Sequence, residues 1–170
     1  LTEVHNKNLV DIEEKYERIR LENLKRRQKA LFDTLEAIRD KENTAISDKS
    51  AKLDAKIQQQ REKAINAAKS TFIGDSLDKQ LKKIDIEFDL KDFDNQKAEL
   101  LQKIKLLEEE IKASGALNSA YESVGLLPVI SQQDIDKLVD QRSELTKKLV
   151  NVQQKEQSYI DKNDAEAQQK

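Results

Sequence analysis

Groups that could do chemistry are present in this chain, but they do not gather. The one histidine, His5, stands near the start, with no cysteine anywhere to join it in a metal site or a thiol–imidazole pair. Adjacent carboxylates such as Glu13–Glu14 and Glu108–Glu110 could serve acid–base or metal chemistry in a closed site. In a chain that is 38% charged they read instead as the solvated faces of helices. Three isolated glycines cannot build a phosphate-cradling loop. Arg18–Lys29, RIRLENLKRRQK, is the one basic run, and its charges have Glu17 and Glu22 for company. With 31 basic and 33 acidic residues there is no positive surplus to hold nucleic acid. The expectation is a protein without enzymatic activity, cofactor, metal or nucleic-acid partner.

Only 36% of the residues are apolar and 4% aromatic, and glycine and proline are rare, with three and one. Disorder and a helical rod both fit such a composition. The spacing of the apolar residues decides for the rod. Residues 2–69 hold no glycine or proline, which predicts one helix of about 100 Å at 1.5 Å per residue. Leu9, Ile12, Tyr16 and Ile19 are spaced 3, 4 and 3; Leu24, Leu31, Leu35 and Ile38 continue with a slip of phase. Ile46, Leu53, Ile57, Ala64 and Ala67 resume after a jump that locally unwinds a supercoil. Gln28, Glu42, Ser50 and Gln60 fall on the seam, where polar residues weaken packing and fix register. Asn43–Ser50, NTAISDKS, is the weakest helical stretch and a possible break.

Residues 70–75 read as a turn, with Gly74 in a left-handed conformation, Asp75 as the next cap, and Phe72 and Ile73 covering the bundle end. A second helix is predicted over 76–113. Within it, IDIEFDL at 84–90 alternates like a strand, yet its flanks are helical. On a helix Ile84 and Ile86 point to opposite sides, so this helix is expected to lie between two partners. Ser131–Asp134 matches a capping box with Asp in place of Glu, and opens a third helix over 132–163. Its stripe, Ile135, Leu138, Arg142, Leu145, Leu149, Val152, Glu156 and Tyr159, is the most regular heptad in the chain. Residues after Asn163 read as frayed. The fold class is therefore all-α: an elongated antiparallel coiled coil, or three-helix hairpin bundle, with one very long first helix.

Between the second and third helices lies an apolar stretch, 114–131, SGALNSAYESVGLLPVIS. It reads as a long loop with a short helical piece, Leu117–Tyr121–Val124, ended by Gly125. Two roles are open to it. It plugs the end of the bundle, or it is an adhesive tip presented by a stiff rod. The candidate tip residues are Leu117, Tyr121, Val124, Leu126, Leu127, Val129 and Ile130, with Tyr121 the natural anchor. The first helix outreaches the others, so Leu9, Ile12, Tyr16 and Ile19 need a partner. The apolar loop, a second copy or other parts of a parent protein could supply it. No run of 18 apolar residues or signal peptide is visible, and the chain, beginning with Leu, reads as a fragment of a longer protein.

The Lys/Glu/Gln-rich helix pair without cysteine, its apolar tip GLLPVIS, and the stretches LDKQLKKID and AELLQKIKLLEEEI resemble the helical rods of colicins and S-type pyocins. The resemblance covers residues 76–160. It implies a secreted bacteriocin-like toxin whose rod carries receptor binding or translocation at an outer membrane. It also implies receptor contacts within 116–130. The alternative is a structural coiled coil, a spacer or oligomeriser in a larger assembly.

Overall fold

In the computed structural model, which describes residues 2–169, three helices follow one another: α1 (Thr2–Thr71), α2 (Gly74–Ser123) and α3 (Gln132–Gln168). There is no strand among the described residues. At 70 residues, α1 is roughly 105 Å long. It passes through Asn43–Ser50 without a break. The residues that weaken the helix there serve as polar seam positions instead. Ser47 Oγ donates to Glu99 at 3.1 Å, and the carbonyl of buried Ser50 accepts from Asn95 at 3.0 Å.

α2 lies in the middle, packed antiparallel against α1 on one side and α3 on the other. The cross-helix pairs fix both registers. Between α1 and α2 they run from Arg39–Glu110 through Asn95–Asp54 (2.6 Å) to Arg61–Asp85 (2.8 Å). Between α2 and α3 they run from Lys97–Glu156 (2.7 Å) to Lys82–Glu166 (3.0 Å). The alternating IDIEFDL segment is helical, and Ile84 and Ile86 are both half-buried. A helix with two neighbours needs apolar residues on two faces, which explains the strand-like pattern.

Every position of the α3 heptad is buried or half-buried. In α1 the seam differs from the expected one. Its buried residues are Phe32, Arg39, Ser50, Ile57 and Ala68, while Ile38, Leu53 and Ala67 are exposed. Two of its steps, Arg39 to Ser50 and Ile57 to Ala68, span eleven residues, the repeat that relaxes left-handed supercoiling. Arg39 is buried at 6% exposure and pairs with Glu110 across the seam and Glu36 on its own helix. A guanidinium with two carboxylates is among the few ways to keep a charge inside a bundle.

Asp89 ties all three helices together. Its carboxylate accepts from Arg61 at 3.0 Å and from the Tyr159 hydroxyl at 2.6 Å. Tyr159 packs its ring on Phe93 at 5.8 Å. Burial, and then the bond to Asp89, push the phenol up to about 12. The Lys97 ammonium is also raised, chiefly by its bond to Glu156.

Both helix connections differ from the sequence expectation. The turn is only Phe72–Ile73. α1 reaches Thr71, and the hydroxyls of Ser70 and Thr71 fold back onto the carbonyls of Asn66 and Ala67. Gly74 takes the left-handed conformation at φ 58°. The cap of α2 is Ile73, without a side-chain bond, so Asp75 sits in the first turn near the positive end of the dipole. Phe72 is half-buried, but Ile73 points outward and covers nothing. At the far end α3 continues through Gln168, past Asn163, and Glu166 is held by Lys82. That cross-helix pair lies beyond the point where fraying was expected.

Candidate functional site at the loop-bearing end

The expected loop of 114–131 is mostly helix. α2 continues through Gly115, an isolated glycine whose cost in a helix, about 1 kcal/mol, is too small to stop so long an element. The helix stops at Ser123 with a complete Schellman motif. Gly125 is left-handed at φ 77°, its N–H donates to Glu122 O at 3.0 Å, and the N–H of Leu126 donates to Tyr121 O at 2.9 Å. Leu117 and Tyr121 are thus residues of the long α2, and the piece that was to be a separate short helix is its last turns.

The true connection, residues 124–131, is pinned from both sides. The Asn118 side-chain oxygen accepts from Val129 N (2.9 Å) and Ile130 N (3.0 Å), and its amide donates to Ile130 O (2.9 Å). From α1, Gln28 Nε2 donates to Pro128 O at 2.7 Å. These four bonds satisfy backbone groups that have no ladder or helix of their own. Ser131 then caps α3, its hydroxyl accepting from Asp134 N at 3.2 Å.

This pinning splits the candidate tip residues into two groups. Ile130 is 1% exposed and joins Phe32, Leu107 and Leu138 in the core where the three helices meet, and Val129 is half-buried beside it. These two are the plug. Leu117, Tyr121, Val124, Leu126 and Leu127 remain on the surface, with Val124 at 71% exposure. Tyr121, Leu126 and Leu127 form one wall of a groove of about 440 Å³ whose other wall is α1, through Tyr16, Ile19 and Leu24. Arg20, Asn23 and Arg27 give that groove a polar, cationic edge.

Sequence reasoning missed Asn118 and misread Gln28. Gln28 was placed on the seam, but it reaches the connection and not α2. An asparagine ten residues before the proline of the return was the available signal.

α1 continues beyond the groove without cover. Val4, Leu9, Val10, Ile12, Tyr16, Ile19 and Leu21 are all exposed. Its ion pair Arg20–Glu17, at 3.7 Å, lies wholly at the surface and contributes little. His5 is exposed. Among the described residues no group of three or more His, Cys, Asp or Glu side chains is placed to hold a metal, and no helix is long and apolar enough to cross a membrane. Comparison with protein-family models, with curated proteins and with solved structures finds no match to this chain.

Proposed function

We propose that the chain is a non-enzymatic helical rod whose loop-bearing end makes protein–protein contacts. One observation carries this reading: most of the exposed large apolar side chains collect at that end. Tyr121, Val124, Leu126 and Leu127 stand next to the uncovered stripe of α1, whereas the opposite turn exposes Ile73. A stiff body with a greasy end suits recognition better than catalysis. In the form implied by the bacteriocin resemblance, the end meets an outer-membrane receptor or translocator during delivery of a secreted toxin. In the second form the rod is a coiled-coil spacer or oligomerisation module. The pinned connection, with Ile130 in the core and Asn118 as its clamp, favours that second form.

The test is binding of the labelled chain to outer-membrane vesicles from Gram-negative bacteria, before and after replacing Tyr121, Leu126 and Leu127 with Ser. The receptor-binding form predicts saturable binding that the triple variant loses while its helical content and melting are kept. Absence of saturable binding to vesicles from every strain tried, with changed mass or stability in the variant, would assign the rod to assembly instead.

A further inference from the structure

We propose that the uncovered N-terminal part of α1 pairs with the same segment of a second copy, antiparallel, through Leu9, Ile12, Tyr16 and Ile19. The inference rests on the interaction-rod reading and names one partner for it.

Three observations converge on a second copy. The first is continuity. The four residues are spaced 3, 4 and 3, are between 47% and 67% exposed, and run directly into the groove under Tyr121, Leu126 and Leu127. α1 thus carries a seam that is uncovered on the N-terminal side of the tip and packed against α2 beyond it.

The second is charge. From Thr2 to Glu14 there are four acids and one lysine, net −3; from Lys15 to Arg27 there are six bases and two acids, net +4. Parallel pairing of two copies sets each half against its like. Antiparallel pairing sets each half against its opposite, and across a two-fold axis that gain is made twice.

The third is register. Setting Leu9 across from Ile19 of the second copy also sets Ile12 across from Tyr16 of the second copy, with the axis near Glu14. His5 then faces Asn23 of the second copy. The first residues of each helix then lie along the other's groove, whose α1 wall is Tyr16, Ile19, Asn23 and Leu24. The apolar match and the charge match agree on one alignment.

The result is a bipolar rod. Two α1 helices of 70 residues, overlapping at their ends, span roughly 170 Å, against roughly 105 Å for one.

Sedimentation equilibrium and cysteine cross-linking of the full chain test this. Mass is expected to rise with concentration toward twice the 19.6 kDa of one chain. It should return to one chain in the Leu9→Ser, Ile12→Ser variant, whose helical content is unchanged because both positions are exposed. The chain has no cysteine, so single ones report orientation. Under a mild oxidant, a mixture of His5→Cys and Asn23→Cys chains should form at least ten times more disulfide dimer than either alone. A mass of one chain up to millimolar concentration overturns the proposal, as does cross-linking of each variant mainly with itself. Leu9 and Ile12 lie outside the groove that Tyr121, Leu126 and Leu127 line, so vesicle binding by the Leu9→Ser, Ile12→Ser variant reports on the tip separately from the dimer.

Discussion

Both ends of α1 space apolar residues among many charges, and their fates are opposite. From Gln28 onward the helix is locked to its neighbours by a few apolar anchors and a row of polar interlocks. These are Gln28 to Pro128, Arg39 to Glu110, Asn95 to Ser50 and Asp54, and Arg61 to Asp85 and Asp89. Before Leu24 the apolar spacing is at least as regular, yet every described residue is exposed. Periodicity therefore states that a helix face wants a partner; it does not state which one. The sparse apolar core explains why charge-paired seam residues set the register, since each is costly out of its place.

The comparison can be broken by substitution on each side of Leu24, at dilutions where the chain is a monomer. The largest expected effect is at Leu138, wholly buried against Phe32, Leu107 and Ile130. Leu138→Ala should cost about 3–4 kcal/mol in urea unfolding, whereas Ile12→Ala should change stability by less than about 0.5 kcal/mol. Arg39→Ala leaves the Glu110 carboxylate, 12% exposed, without its counter-charge; a loss of about 3 kcal/mol is expected. That loss should largely vanish when Glu110→Leu is added, which a double-mutant cycle reads directly.

Asn118→Ala comes next, at about 2 kcal/mol. It strands the amides of Val129 and Ile130 together with a carbonyl. Hydrogen exchange should quicken at those two amides before it does elsewhere in the bundle.

The smallest loss expected within the bundle is at Tyr159. Tyr159→Phe keeps the ring on Phe93 and loses the bond to Asp89, about 1 kcal/mol at neutral pH. A phenol raised on folding contributes stability in full below the ordinary value near 10. That contribution fades as pH rises through the folded value of about 12. The gap between parent and variant should therefore close between about pH 10 and 12.

The helices were legible because two periodicities were strong. The α3 heptad is buried or half-buried throughout, and the sandwiched position of α2 followed from Ile84 and Ile86, both half-buried, pointing apart. What was not legible depended on contacts between distant residues. Nothing local marks Arg39 as interior; Glu110, far along the chain, keeps it there. The second helix was expected to end at 113, before Gly115, but the hydrogen bonds that end it are made around Gly125. The connection looked like a uniform greasy tip because composition cannot separate Ile130, which fills the core, from Leu126 and Leu127, which do not. Asn118 makes that division, and it needed the returning connection in view.

Hydrogen exchange along α1, on a chain dilute enough to be a monomer, tests the central claim most directly. Amides from about Gln28 to Ala68 should be protected near the global unfolding limit, and those from Glu3 to about Leu21 should exchange many orders of magnitude faster. Equal protection along the whole helix under those conditions would contradict the account, as would fast exchange through Asn43–Ser50.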